Sequence, residues 1–351
     1  MKNPFSLSFG IKPEQFISRP VQAEEIQQMF NDELPSSHAY LLVGVRGCGK
    51  TVLLSDISNN IVKDDRWIVV ALNPERDMLN ALAAKLHSNA SLKPMFVKAK
   101  LDLSILGIGL SIEDGFVISD VESAIEKMLE LITNSGKRVL VTVDEVANTR
   151  YMREFSAAFQ IFIRQNYNVF LLMTGLYGNI NSLQNEKTLT FLYRTPRILL
   201  EPLNITIITT IYEKMFGISR EFAQQMSFMT KGYAFAFQVL GYLTWSLYEG
   251  NITDSYEDYN SRIIPGYDQY LQEYVYIKLW SELSSKEQDI LKLLTHDENK
   301  KISEIRSKIG MESNEFGVYR DRLIKKGVIT SRQRGSLDFA LPRFEEYIMR
   351  E

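Results

Sequence analysis

At 351 residues the chain is long enough for two or three domains of about 100–200 residues each, and 45% hydrophobic with 11% aromatic residues supplies their cores. A formal net charge of −3 excludes a chain that binds polyanions over its whole surface, so any nucleic-acid contact has to be a local patch. The single cysteine, Cys48, excludes an internal disulfide and suits a reducing compartment, and His38, His87 and His296 lack the spacing of a zinc site. No basic segment followed by an apolar core opens the chain, and no apolar run reaches the roughly 20 residues of a membrane span, so a cytoplasmic protein with no membrane partner is expected.

Residues 3–19 read as irregular, and residues 20–30 as a helix with Val21, Ile26, Met29 and Phe30 on its inner side. A loop over 31–37 leads to the apolar strand Tyr40-Leu41-Leu42-Val43. Directly behind it stands Gly44-Val45-Arg46-Gly47-Cys48-Gly49-Lys50-Thr51, the Gly-x4-Gly-Lys-Thr pattern of a phosphate-binding loop. Its glycines permit a tight turn in which successive backbone N–H groups converge on a phosphate, and the helix that starts near Lys50 adds its positive end. Lys50 would reach the β- and γ-phosphates of a bound nucleotide, and the Thr51 hydroxyl would ligate Mg²⁺. Val52, Leu53, Leu54, Ile57 and Ile61 give the following helix its apolar face. Cys48 is either a small residue at a variable loop position or a redox sensor.

A second buried strand covers 67–72 and a helix follows over about 77–87. The alternation on both sides of Gly107-Ile108-Gly109 predicts a β-hairpin over 98–113, an insertion on the sheet or at its edge. After a helix from Ser119 or Asp120 to about 133 comes Arg138-Val139-Leu140-Val141-Thr142-Val143-Asp144-Glu145, an apolar strand that runs into two acids. At a strand's C-terminal end they fit beside the phosphate loop, with Asp144 in the Mg²⁺ shell and Glu145 polarising the attacking water. A helix over 151–165 precedes the buried strand 168–174. Thr174 at its end either senses the γ-phosphate or orients the attacking water, or simply terminates the strand. Arg194 and Arg197 precede a last strand. Each is either an arginine finger for a neighbouring subunit's nucleotide or an arginine solvated or paired at home.

Beyond Pro202 the strand signals stop. Helices are predicted over 204–216, 219–230 and 233–248, then an aromatic-rich linking helix over 267–281. Ser284-Ser285-Lys286-Glu287 caps the first of three further helices, and strands over 328–331 and 337–341 flank the turn 332–336. That order is a winged helix-turn-helix, with its third helix offered to a major groove. Arg320, Arg322 and Lys326 on that helix, with Arg332 and Arg334 on the wing, are the candidate contacts to double-stranded DNA. Asp321, Glu312 and Glu315 nearly balance them, so a protein partner is the alternative.

With this order of parts the chain resembles the P-loop ATPases of the AAA+ and STAND group, in particular Orc/Cdc6-like and archaeal-type ATPases. The resemblance implies an α/β fold: a parallel sheet of the P-loop NTPase (AAA+/ASCE) type with a helical lid and a C-terminal winged helix. It implies an ATPase domain over 1–201, a lid over 202–266, and a linker helix with the winged helix over 267–351. It places Arg19 at the adenine, where Ser18 replaces the glycine of the family's Gly-Arg pair, and puts Tyr233 near the nucleotide in a Gly232-Tyr233-Ala234 stretch that lacks the family's proline. With no Asn-Lys-x-Asp motif, ATP is favoured over GTP. The resulting expectation is an ATP- and Mg²⁺-dependent nucleotide switch that couples to DNA binding or homo-oligomer assembly; alternatively, the chain is a slow, ATP-bound scaffold for a protein partner.

Overall fold

The computed structural model describes residues 2–8, 13–102, 116–117, 120–186, 189–297, 299–331 and 335–351. They form two compact units: Arg19–Val43 with Lys50–Leu199, and Met1–Ser18 with Gly44–Gly49 and Leu200–Glu351.

The first unit is built on a sheet. Its elements are α1 (Pro20–Asn31), β1 (Ala39–Val43), α2 (Lys50–Ile61), β2 (Trp67–Leu72), α3 (Met78–Ser88), α4 (Lys93–Lys98), β3 (Leu101–Asp102), β4 (Phe116–Val117), α5 (Val121–Asn134), β5 (Arg138–Val143), α6 (Arg150–Arg164), β6 (Val169–Gly175), α7 (Tyr177–Gln184), α8 (Thr190–Arg194) and β7 (Arg197–Leu199). Five strands run parallel in the order β2-β5-β6-β1-β7. Every residue of β1 and β6 is buried, as the unbroken apolar runs require of strands covered on both faces. On one face Leu41, Val43, Val139, Val141, Leu171 and Met173 meet the apolar stripes of α3, α5 and α6. On the other, Phe30 of α1 packs against Tyr40 and Phe170, with ring centroids 5.7 and 5.1 Å apart. Side chains Asp77, Asp120 and Thr149 cap α3, α5 and α6.

The hairpin expected over 98–113 lies mostly outside the described residues. Residue 98 closes α4, and Leu101–Asp102 pairs in parallel with Phe116–Val117.

The second unit is helical: α9 (Ile205–Phe216), α10 (Arg220–Met229), α11 (Ala234–Tyr248), α12 (Tyr256–Leu271), a π-helical turn (Gln272–Tyr276), α13 (Ile277–Ser281), α14 (Ser285–Thr295), α15 (Ile302–Ile309), α16 (Ser313–Lys325), β8 (Ile329–Thr330), β9 (Asp338–Phe339) and α17 (Phe344–Ile348). Asn204, Ser219 and Ser284 cap their helices as their residue types predict, Ser284 in a full capping box with Glu287. β8 and β9 are antiparallel, and Lys301 bridges Ser336 beside them.

The domain boundary expected at 266/267 falls inside α12, which runs through Pro265. The reason is packing. Tyr259, Ile263, Tyr267 and Leu271 recur every fourth residue as one buried stripe, and the Tyr267 hydroxyl donates to the Met229 carbonyl at 3.0 Å. Burying that stripe outweighs the roughly 3 kcal/mol that proline costs a helix interior. Residues on both sides of the expected boundary therefore share one core, from Phe5 and Tyr212 to Phe339 and Tyr347. Beyond residue 341, where the sequence pattern predicts no element, α17 adds Phe344 and Tyr347, stacked at 5.8 Å.

Candidate functional site

Strand register brings the acids to one edge of the sheet. Leu42 lies beside Thr174 and Val43 beside Gly175, while Val143, the last residue of β5, lies beside Met173. Asp144 thus leaves β5 level with Thr174. Thr51, in the first turn of α2, donates its hydroxyl to Asp144 Oδ2 at 2.9 Å. Thr174 donates its hydroxyl to Asp144 Oδ1 and accepts the Glu145 N–H at 3.0 Å. Its carbonyl accepts the Val146 N–H at 2.8 Å. Completely buried Thr174 thus uses its hydroxyl and carbonyl to shape the Asp144–Val146 turn.

Glu145 is exposed and sits at φ 53°, a left-handed conformation that costs a side-chain-bearing residue about 1–3 kcal/mol. The bonds from Thr174 to the N–H groups of Glu145 and Val146 hold it there. No Cβ could stand at Gly175, since it would come 2.8 Å from Val146 Cγ2.

The oxygen chemistry at Thr51 and Asp144 fits Mg²⁺, which takes one or two protein oxygens and fills its shell with water and phosphate oxygens. Among the described residues no group of three or more His, Cys, Asp or Glu forms an all-protein metal cage. Lys50, the first residue of α2, is only 7% exposed, and Val52, directly after Thr51, is half-buried.

The loop Gly44–Gly49, which joins β1 to α2, groups with the helical unit. Gly47 (φ 76°) and Gly49 (φ 98°) adopt the left-handed turn expected of phosphate-loop glycines. The Cys48 N–H donates to the Val45 carbonyl at 3.2 Å. The Cys48 thiol is buried against Gly44, where a Cβ would come 2.5 Å from Sγ. Tyr233, at the start of α11, donates its hydroxyl to the Arg46 carbonyl, and the Phe235 N–H donates to the Gly47 carbonyl at 3.0 Å. Burial pushes the Tyr233 hydroxyl well above the ordinary tyrosine range, so it stays a donor. Arg46 also lies 3.7 Å from Glu282, and Val45 packs on Gly327, where a Cβ would be 3.2 Å from its own. Sequence reasoning missed all of these loop partners.

Other expected residues lie elsewhere. Arg19 is the half-buried residue preceding α1. Arg194 ends α8 and lines a cavity with His38, Ala39 and Gln160 at the start of β1. That is the sheet edge opposite Asp144, a strand length of about 16 Å away. Arg197 is exposed on edge strand β7, beside Leu41. Neither arginine meets Asp144 in its own chain, so a finger role needs a second subunit. On α16, Arg320 donates to Asp321 at 2.9 Å, and the Arg322 guanidinium lies 5.6 Å from the Tyr319 ring centre. Lys326, just past α16, grips both oxygens of Glu287 at 2.8 Å. Arg332 and Arg334 lie outside the described residues.

Residues 16–191, half of the chain, match the model of a family described as an ATPase domain predominantly from Archaea. The chain belongs to this ATPase family. Residues 273–348 match a domain of unknown function. The chain is similar in structure to the Aeropyrum pernix ORC2 protein in its ADPNP–ADP complexes, with 13% identity and a TM-score of 0.61 over 98% of this chain and 96% of that one. The ADP form of the same protein gives 14% identity and a TM-score of 0.52 over the same shares. At such identity the likeness is one of fold. No curated protein matches the chain. Among the described residues no helix is long and apolar enough to cross a membrane.

Proposed function

We propose that this ATPase binds ATP with Mg²⁺, hydrolyses it, and uses the nucleotide state to set the behaviour of its C-terminal helices and β8–β9 ribbon, which we read as a winged helix. The observation that carries the reading is the hydrogen-bonded line Thr51–Asp144–Thr174–Glu145. The loop Gly44–Gly49 and Lys50 hold the phosphates. Thr51 and Asp144 would hold the Mg²⁺, which would supply positive charge to the transferred phosphoryl group. Glu145 accepts a proton from the attacking water, having been aimed at the edge by its left-handed backbone. Arg194 or Arg197 of a neighbouring copy completes the charge if the chain assembles.

Coupling is supported by the loop's own neighbours, since Val45 and Arg46 touch Gly327 and Glu282. A loop that shifts between ATP and ADP would bias the C-terminal helices through those contacts. The output is then DNA binding or homo-oligomer assembly. The second reading, a slow scaffold that holds a protein partner, is favoured by Lys326 and Arg320, whose charges already face Glu287 and Asp321.

Steady-state ATP turnover by wild type and Glu145→Gln, with and without duplex DNA, separates the two. The switch reading expects Glu145→Gln to cost about 10²-fold or more and DNA to raise wild-type turnover. Turnover that ignores the substitution sinks the hydrolytic role of Glu145. Near-zero turnover in every condition with ATP still bound favours the scaffold.

A further inference from the structure

The tip of the phosphate loop is clamped by α11, and the clamp acts on peptide planes. A trans peptide holds its C=O and N–H antiparallel in one plane, so fixing the carbonyl fixes where the N–H points. The Arg46 carbonyl accepts the Tyr233 hydroxyl, which turns the N–H of Gly47 away from α11. The Gly47 carbonyl accepts the Phe235 N–H at 3.0 Å, which fixes the next peptide, and the Cys48 N–H closes the turn on Val45. Gly47 has no room for a side chain, because a Cβ there would come 2.3 Å from the Tyr233 oxygen.

Tyr233 is itself rigidly mounted. Its N–H donates to the Thr230 carbonyl at 2.8 Å, and the Gly232 carbonyl accepts the Leu203 N–H at 2.7 Å. The side chain is 4% exposed, with no face left to stack on a base. The resemblance puts Tyr233 near the nucleotide, and the geometry gives it a different task.

We propose that Tyr233 is a positioning residue of the phosphate loop, one that sets the Arg46–Gly47 peptide for phosphate without touching the nucleotide. The proposal deepens the reading of Gly44–Thr51 as a phosphate site and rests on it. A preorganised loop binds more tightly because less freedom is lost on binding. The advantage belongs to the phosphates, and the base and sugar do not share in it.

The test is titration calorimetry of the full chain with ADP and with inorganic tripolyphosphate, for wild type, Tyr233→Phe and Tyr212→Phe. Tyr212 is the control: its buried hydroxyl donates to the Phe237 carbonyl at 2.8 Å, outside the loop. Tyr233→Phe should weaken both ligands by the same factor, about tenfold. Tyr212→Phe should weaken neither. Loss of ADP affinity with tripolyphosphate unchanged would make Tyr233 a base or sugar contact and overturn the proposal, as would two unchanged affinities. Hydrogen exchange without ligand tests the clamp independently. The Cys48 and Phe235 amides should exchange faster in Tyr233→Phe, and equal rates refute the clamp. If wild type binds neither ligand, the phosphate reading itself fails, and the exchange result still decides whether Tyr233 holds the loop.

Discussion

At the sheet edge Asp144 takes its two hydrogen bonds from uncharged hydroxyls, those of Thr51 and Thr174. In the C-terminal helices Glu287 takes its bonds from the Lys326 ammonium and the Ser284 cap. Both carboxylates are held firmly, but among the described residues only the second is paired with a lysine. A hydroxyl-held carboxylate keeps its negative charge for a cation that comes with a ligand. A lysine-held, capped one is part of the scaffold. We read the first as part of a site and the second as a fixture, and substitution tests that reading.

The largest effect is expected at Asp144. Asp144→Asn keeps the shape and one acceptor while it removes the charge. ATP turnover should fall about 10³-fold, near 4 kcal/mol in the barrier, with little change in the melting temperature. A variant that unfolds but turns over normally while folded would place Asp144 with Glu287 as a fixture.

Glu287→Gln is the mirror experiment. It leaves Lys326 facing a neutral amide and weakens the capping box, so denaturant unfolding should show a loss of about 3 kcal/mol. Turnover of the folded protein should be unchanged. The pH dependence follows from the same contacts. Burial alone would raise the Glu287 pKa, but hydrogen bonds from Lys326 and Ser284 outweigh it and hold the carboxyl below its usual value. A depressed folded-state pKa contributes stability that is fully present above the unfolded value of about 4.3 and is lost as pH falls through the folded value. Wild type should therefore lose stability in acid below about pH 4.3 more steeply than Glu287→Gln.

How much of this could be read in advance depends on range. The phosphate loop, the strand that ends in Asp144-Glu145 and the caps at Asn204, Ser219 and Ser284 are local patterns, fixed by spacing and by backbone groups within a few residues. The parallel sheet follows from the unbroken apolar runs of β1, β5 and β6. What stayed hidden joins residues far apart in sequence: Tyr233 to Arg46, Lys326 to Glu287, Tyr267 to Met229. Side-chain bonds of that kind depend on how helices pack, and no spacing rule reports them. The boundary expected at 266/267 failed for the same reason, because the stripe that carries α12 through it is completed only by packing. The place of Thr174 at a strand end was readable, while the bonds of its hydroxyl to Asp144 and the Glu145 N–H were not.

The smallest effect concerns the face of α16. Arg320 donates to Asp321 through Nε at 3.1 Å and through an Nη at 2.9 Å, on side chains 37% and 54% exposed. An exposed pair of this kind contributes at most about 0.5–1 kcal/mol, so Asp321→Asn should leave stability almost unchanged. Its value lies in freeing a guanidinium. If α16 lies along a duplex, the released Arg320 gains a phosphate, and the slope of log affinity against log salt should steepen by about one contact. That is the outcome the DNA-linked switch expects, measured by fluorescence anisotropy of a labelled duplex across a salt series. An unchanged slope would mean that Arg320 faces no phosphate, and with Lys326 already committed to Glu287 the C-terminal helices would then be a surface for protein rather than for DNA.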